Sequence, residues 1–289
     1  MTNCFDLINF NDNDNEIVGL TDELKVQYIL KQYNQTNKTQ ILVTNSLYEA
    51  NIFYRRLKSY NDNVLLFPMD DFLTSEALAI SPELKLTRLN VLNESFDKNT
   101  KIIVTNLMGI LRFLPNVDFY YNSFISLKVN EDIKQKELIE KLFNIGYIKE
   151  SIVTKTGDMA TRGYVIDIFS TQYSDPVRIE FWGDTIESIR IFDINSQRTI
   201  KNINEIKIYP NTESISPNGL LLKHRDIVNY DCTTNLLDYF KDSIIYINNF
   251  NQIKISYNFL LEEILDYCVS ENIDVNTKFM HNLSVFELY

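Results

Sequence analysis

Between residues 161 and 200 apolar and polar side chains alternate, and the alternation breaks at Ser174-Asp175-Pro176 and again at Trp182-Gly183-Asp184. That pattern predicts three short strands joined by tight turns. On the strand 177–182 a period of two sends Val177, Ile179 and Phe181 one way and Arg178, Glu180 and Trp182 the other. The chain's only tryptophan therefore shares a face with an arginine and a glutamate. An ordinary solvated sheet face carries such polar residues. Arginine with tryptophan is also the composition of a protein-binding hot spot.

Upstream the pattern switches between helix and strand periods. It predicts a helix over 22–35 with Leu24, Tyr28 and Leu30 on one stripe, a buried strand over 40–44 and a helix over 48–60. A strand at 64–67 follows, then an amphipathic helix over 82–96 with Leu84, Leu89 and Leu92 on its buried side. A β-branched strand at 101–105 and a short helix over 107–113, closed by Leu114-Pro115, complete this part. Strands and helices in alternation indicate a parallel sheet with helices on its faces.

After Pro115 the pattern changes to a strand over 124–129, a helix over 133–144 ending at Gly146, and the three-stranded meander, together a compact α+β unit over 119–199. From 203 the chain reads as a return to the first unit, through IKIYP at 206–210, a Pro217-Asn218-Gly219 loop, a strand over 243–247 and a helix over 260–268. The expected organisation is an α/β domain begun by 1–118 and resumed by 203–289, with 119–202 as an inserted α+β domain carrying an antiparallel sheet.

Charge and composition narrow the function classes. Acids outnumber bases 39 to 28, a formal net charge of −11. Duplex affinity comes from neutralising phosphates with Lys and Arg, so such a chain does not suit gripping DNA by itself. The mixture of arginines and acids within 161–201 suits ion pairing with a protein better than a phosphate track. No apolar run approaches the ~20 residues needed to span a bilayer. The start MTNCFD lacks the basic and apolar regions of a signal peptide, so a cytoplasmic location is expected.

Metal and cofactor chemistry finds little footing. Cys4, Cys232 and Cys268 are widely spaced, which suits a reduced compartment and offers no metal-ligand spacing. His224 and His281 stand apart with no cysteine or acid at ligand spacing. The run Asp12-Asn13-Asp14-Asn15-Glu16 lacks the central glycine and distal glutamate of a calcium loop and reads as Asx turns. Asp70-Asp71 reads as solvated or helix-capping carboxylates at a strand end. Seven glycines in 289 residues also argue against a small-molecule enzyme on a doubly wound sheet, whose cofactor loops need close backbone approach. No cofactor and no metal are expected.

Specific motifs narrow the reading further. Arg162-Gly163, Asp167-Ile168-Phe169, Pro176, Arg178-Ile179-Glu180-Phe181, Asp184, Ser188-Ile189-Arg190, Phe192-Asp193 and Gln197-Arg198 resemble a pattern of the form RGG … DIF … PYRIEFF-x-DE … DSIR-x-FD … TQRS. It belongs to the UvrB-homology module shared by UvrB and the bacterial transcription-repair coupling factor (Mfd). The strings ILVTNSLYEA at 41–50, VLLFPMDDFL at 64–73 and AISPELK at 79–85, followed by Arg88-Leu89, resemble the coupling-factor branch. Asp71 and Pro82 stand too close in sequence for the aromatic-rich, damage-probing hairpin of UvrB. The resemblance covers roughly 19–208 with specific motifs and the remainder more weakly.

This resemblance implies a degenerate RecA/helicase-like parallel sheet, similar to UvrB domain 1, with no functional nucleotide site. At the place of the UvrB phosphate loop stands VGLTDELK (18–25), with one glycine, no Gly-Lys-Thr, and Asp22-Glu23 where phosphates would sit. Lys25 there reads as a solvated helix residue. After the strand at 244–247, Asn248-Asn249 replaces the acidic pair that would hold magnesium. The expected task is therefore non-catalytic: docking UvrA in transcription-coupled nucleotide-excision repair. The resemblance maps the contacts onto Arg162, Arg178 and Trp182, with Arg178 able to fork onto a partner carboxylate. Ser170 and Val177 depart from the family's usual Pro and Tyr. RNA polymerase and DNA would be engaged by other domains of a full-length, ATP-hydrolysing translocase, and a C-terminal domain would mask the UvrA face. The alternative is a UvrB-type, nucleotide-dependent module that binds damaged DNA.

Overall fold

The computed structural model describes residues 16–71, 82–97, 99–213, 215, 234–276 and 279–287. Cys4, Cys232, His224, Asp12-Asn13-Asp14-Asn15, Ala79-Ile80-Ser81 and the Pro217-Asn218-Gly219 loop lie outside these residues. In chain order the elements begin with α1 (Asp22–Thr36), β1 (Gln40–Thr44), α2 (Leu47–Lys58), β2 (Val64–Phe67), α3 (Pro82–Glu94), β3 (Ile102–Asn106), α4 (Leu107–Leu111) and α5 (Val117–Asn122). Next come β4 (Ile125–Lys128), α6 (Gln135–Asn144), β5 (Ile148–Lys149), β6 (Asp158–Arg162), β7 (Val165–Ile168), β8 (Val177–Trp182) and β9 (Thr185–Phe192). β10 (Thr199–Ile203), β11 (Glu205–Ile208), α7 (Leu236–Tyr239), β12 (Ile244–Ile247) and α8 (Phe250–Ser270) close the series.

Contacts gather the described residues of 1–80, 97–112 and 235–289 into one unit and those of 81–96 and 113–234 into another. The first holds a parallel sheet in the order β12-β1-β3-β2. β1 and β3 are buried at every position, as central strands covered on both faces must be, which is why QILVT and IIVTN hold the unbroken apolar runs ILV and IIV where a one-sided strand would alternate. The flanking helices have clear starts. Ser46 caps α2 by accepting from the Glu49 N–H, and Thr21 caps α1 by accepting from the Leu24 N–H. The buried stripe of α1 is Val26, Ile29 and Leu30, an i, i+3, i+4 set; the Leu24 and Tyr28 of the expected stripe are its half-buried flanks.

In the second unit β5 to β10 form a six-stranded sheet in the order β10-β9-β8-β7-β6-β5, antiparallel except for the parallel β5–β6 pair. The expected three-stranded meander is β7 to β9; β6 and β10 extend it. The pattern missed the β6–β7 hairpin because Arg162 to Val165 reads as one extended run, whereas Gly163 at φ +57° turns the chain there. α6 covers the apolar side of the core with Leu138 and Leu142. It ends in a Schellman motif, with Gly146 at φ +92°, its N–H on Phe143 O (3.0 Å), and the Tyr147 N–H on Leu142 O (3.0 Å).

The division into units differs from the expected segment boundaries at three places, the described residues of 81–96, 113–118 and 203–234 falling in the second unit. β11 pairs antiparallel with β4, so 203–208 stays with the second unit instead of returning to the first. α3 also joins the second unit, where the buried Arg88 Nε donates to Glu213 Oε1 at 2.7 Å. That pair spans 125 residues, a tertiary tie that an apolar-stripe reading of α3 cannot see. α8 begins ten residues before the expected 260; its buried positions Ile253, Leu260, Ile264 and Cys268 keep helical spacing across the polar, β-branched start of the segment.

Candidate functional site

The strand that carries the tryptophan obeys its alternation. Val177, Ile179 and Phe181 are buried among Leu138, Leu142 and Ile189, while Arg178 and Glu180 are half-buried on the opposite face and Trp182 is 80% exposed. Gly183, at φ +62°, turns β8 into β9, and Trp182 pairs with Thr185 across that turn. The indole sits at the tip of a hairpin and closes no core.

The three expected contact residues fall into two different settings. Arg178 is engaged inside the sheet: Nε donates to Asp167 Oδ1 at 2.7 Å and Nη2 to Asp167 Oδ2 at 2.9 Å. Nη2 also donates to Gln197 Oε1 at 2.9 Å, and the guanidinium lies 4.4 Å from the centroid of the Phe192 ring. The hydrogen bond to Asp167 holds the Arg178 pKa above its ordinary value. The fork expected for a partner carboxylate is thus taken by the neighbouring strand, since the register sets Asp167 directly opposite Arg178. Arg162 is different. It ends β6 in an exposed position, and its only side-chain hydrogen bond among the described residues is Nη2 to Ser151 O at 3.3 Å. The cross-strand register puts Arg162 in one row with Val165, Glu180 and Ser188. Glu180 is held by Arg190 and by the Ser188 hydroxyl (2.9 Å).

Residues 125–213, a span that includes this sheet, match the UvrB interaction domain family. Across 82% of its residues the chain is 29% identical to the transcription-repair-coupling factor of Staphylococcus aureus (strain bovine RF122 / ET3-1), of which it covers 24%. It is 33% identical, over 69% of its residues, to the transcription-repair-coupling factor of Bacillus subtilis (strain 168), of which it covers 17%. The chain is a relative of the transcription-repair coupling factors. It spans about a quarter of their length at most, and the matches support the UvrB-homology module of such a factor.

Within the matched span 125–213 the sequence reading missed exposed apolar residues, Tyr164 and Ile152 among them. Tyr164 occupies the β6–β7 turn with 67% of its surface open, and its backbone oxygen accepts from the Phe181 N–H at 2.9 Å. The signal was present: the family motif carries a second glycine where this chain has tyrosine.

In the first unit, the carboxyl ends of β1, β2, β3 and β12 mark where an open α/β sheet binds ligands. There Lys25 Nζ donates to Asn248 Oδ1 (2.8 Å) and Asn248 Nδ2 to Glu49 Oε1 (2.6 Å). Glu49 Oε2 in turn accepts from the Asn45 N–H at 2.9 Å. Lys25 is therefore partly buried and bonded across 223 residues, and not the solvated helix residue the sequence suggested. Asp71 caps the start of α2 by accepting from the Leu47 N–H (2.7 Å) and also accepts from Asn106 Nδ2 (2.8 Å). A cavity of about 200 Å³ beside it is lined by Ser46, Asp71, Met108, Phe259 and Glu263, among others. Two carboxylates on one small rim repel phosphate. Among the described residues no three of His, Cys, Asp and Glu gather as metal ligands, and no helix is long and apolar enough to cross a membrane.

Proposed function

We propose that this chain is the UvrA-docking module of a transcription-repair coupling factor, acting in transcription-coupled nucleotide-excision repair and performing no catalysis itself. The observation that carries the reading is one end of the sheet within the span that matches the UvrB interaction domain, where Trp182 stands 80% exposed and Arg162, two strands away, is exposed as well. An exposed aromatic ring and an exposed guanidinium held by a single long hydrogen bond, Nη2 to Ser151 O at 3.3 Å, are what a hot spot can be built from. Arg178 contributes by tying β7, β8 and Gln197 together within the sheet, a structural role that its fork onto Asp167 supports.

The parallel sheet of the first unit is, in this reading, a RecA-like scaffold that has lost its nucleotide chemistry. The Lys25–Asn248–Glu49 chain fills the strand ends where a nucleotide site would need open donors and a metal-binding acid. RNA polymerase and DNA are engaged by other parts of the full-length factor, whose ATP-driven translocation lies outside this chain. A C-terminal domain of that factor masks the UvrA face until docking is needed, and the protein works in the cytoplasm.

Mixing the purified chain with cognate UvrA and separating by size-exclusion chromatography tests the reading. Co-elution at micromolar concentrations supports it. Separate elution at tens of micromolar of each contradicts it.

A further inference from the structure

We infer that Tyr164 is a second aromatic anchor of the docking end and a specificity-determining residue of this chain; the inference rests on the UvrA-docking function proposed above. Gly163 at φ +57° and Tyr164 form the turn between β6 and β7. Turn tips favour Gly, Asn, Asp, Pro and Ser, each for a conformational or hydrogen-bonding reason that tyrosine does not share. Here tyrosine exposes 67% of its surface, and among the described residues its side chain makes no hydrogen bond and no ring contact. Packing within the domain does not account for it.

Its position does. The hydrogen bond from Phe181 N–H to Tyr164 O at 2.9 Å fixes the turn against the residue that precedes Trp182. Arg162 lies two residues before it, and Ile152, half exposed, follows the Ser151 whose oxygen Arg162 bonds. One end of the sheet therefore presents a tyrosine, a tryptophan, an arginine and an isoleucine to solvent. A tyrosine ring offers apolar area, costs little side-chain freedom and keeps a hydroxyl for a polar partner. Asp184 and Glu187 are exposed on the adjoining hairpin, and the chain's net charge is −11. Both disfavour a phosphate backbone and favour a protein surface, here that of UvrA, with an apolar recess for the rings and a carboxylate for Arg162. The glycine that the resembled motif carries at this place lacks the ring, so the contact is one that this chain's tyrosine supplies.

Calorimetric titration of UvrA with the wild-type chain, Tyr164→Gly, Tyr164→Phe and Tyr60→Ala tests this. Tyr60 is a comparably exposed tyrosine (66%) in the other unit and controls for nonspecific adhesion. The inference expects Tyr164→Gly to weaken binding by about tenfold or more, Tyr164→Phe to stay within about threefold, and Tyr60→Ala to match wild type. All four should unfold at the same temperature. A Tyr164→Gly affinity within twofold of wild type overturns the inference and leaves docking through Trp182 standing. An equal loss in Tyr60→Ala also overturns it. Absence of wild-type binding overturns both the inference and the function it rests on.

Discussion

Removing Arg178 leaves the Asp167 carboxylate with its side chain 4% exposed and its two charge-assisted hydrogen bonds gone. A buried acid stripped of its partner costs more than the pair was worth. Arg178→Ala should therefore lower unfolding stability by about 2 kcal/mol or more, measured in urea. Arg178→Met combined with Asp167→Leu should recover most of that loss, because an apolar pair of similar volume carries no stranded charge. Full additivity of the two substitutions would show that the fork contributes nothing. Loss of UvrA binding in Arg178→Ala alone is then ambiguous between contact and positioning, whereas Trp182→Ala is clean. The indole is 80% exposed, so its removal should leave stability within about 0.5 kcal/mol of wild type. The alternation of VRIEFW was enough to place Trp182 outside and Val177, Ile179 and Phe181 inside. It could not show that Arg178 is spoken for, because that depends on which residue of β7 the register sets opposite.

At the level of elements, the domain's turns differ in how much they tolerate, and the difference is geometric. Gly183 and Gly157 both adopt positive φ, +62° and +91°. A Cβ at Gly183 meets no atom within 4 Å, while one at Gly157 would lie 2.2 Å from Asn211 Nδ2 and 2.7 Å from its Cγ. Asn211 cannot readily yield, since its N–H bonds Ile145 O at 2.8 Å and its Nδ2 bonds Gly146 O at 3.1 Å. Gly183→Ala should cost about 1 kcal/mol, the strain of a left-handed alanine, and Gly157→Ala clearly more, by denaturant unfolding of both. Equal losses would mean that the contact with Asn211 relaxes freely. Strand and helix identities were legible because β-branched runs and 3.6-residue stripes act locally. The β6–β7 turn and the β4–β11 pair were not: one turns on a single glycine's φ, the other on a pairing of residues some eighty apart in sequence.

For the whole molecule, the two units bring different chemistry. The parallel sheet of the first offers at its strand ends a lysine, an asparagine and a glutamate already bonded to one another. A fluorescent ATP analogue should show no saturable binding up to about millimolar concentration; saturation in the low-micromolar range would favour the UvrB-type alternative instead. That VGLTDELK holds a single glycine and no Gly-Lys-Thr was readable, but the bonding of Lys25 was not, because Lys25 and Asn248 meet only once β12 lies beside β1. The second unit holds the account's central claim, that an exposed indole and guanidinium at one sheet end grip a repair partner. Measuring the affinity of UvrA for the wild-type chain and for folded Trp182→Ala tests it most directly. The account predicts a loss of about thirtyfold, the scale of a 2 kcal/mol hot-spot truncation. Equal affinities for the two would contradict it.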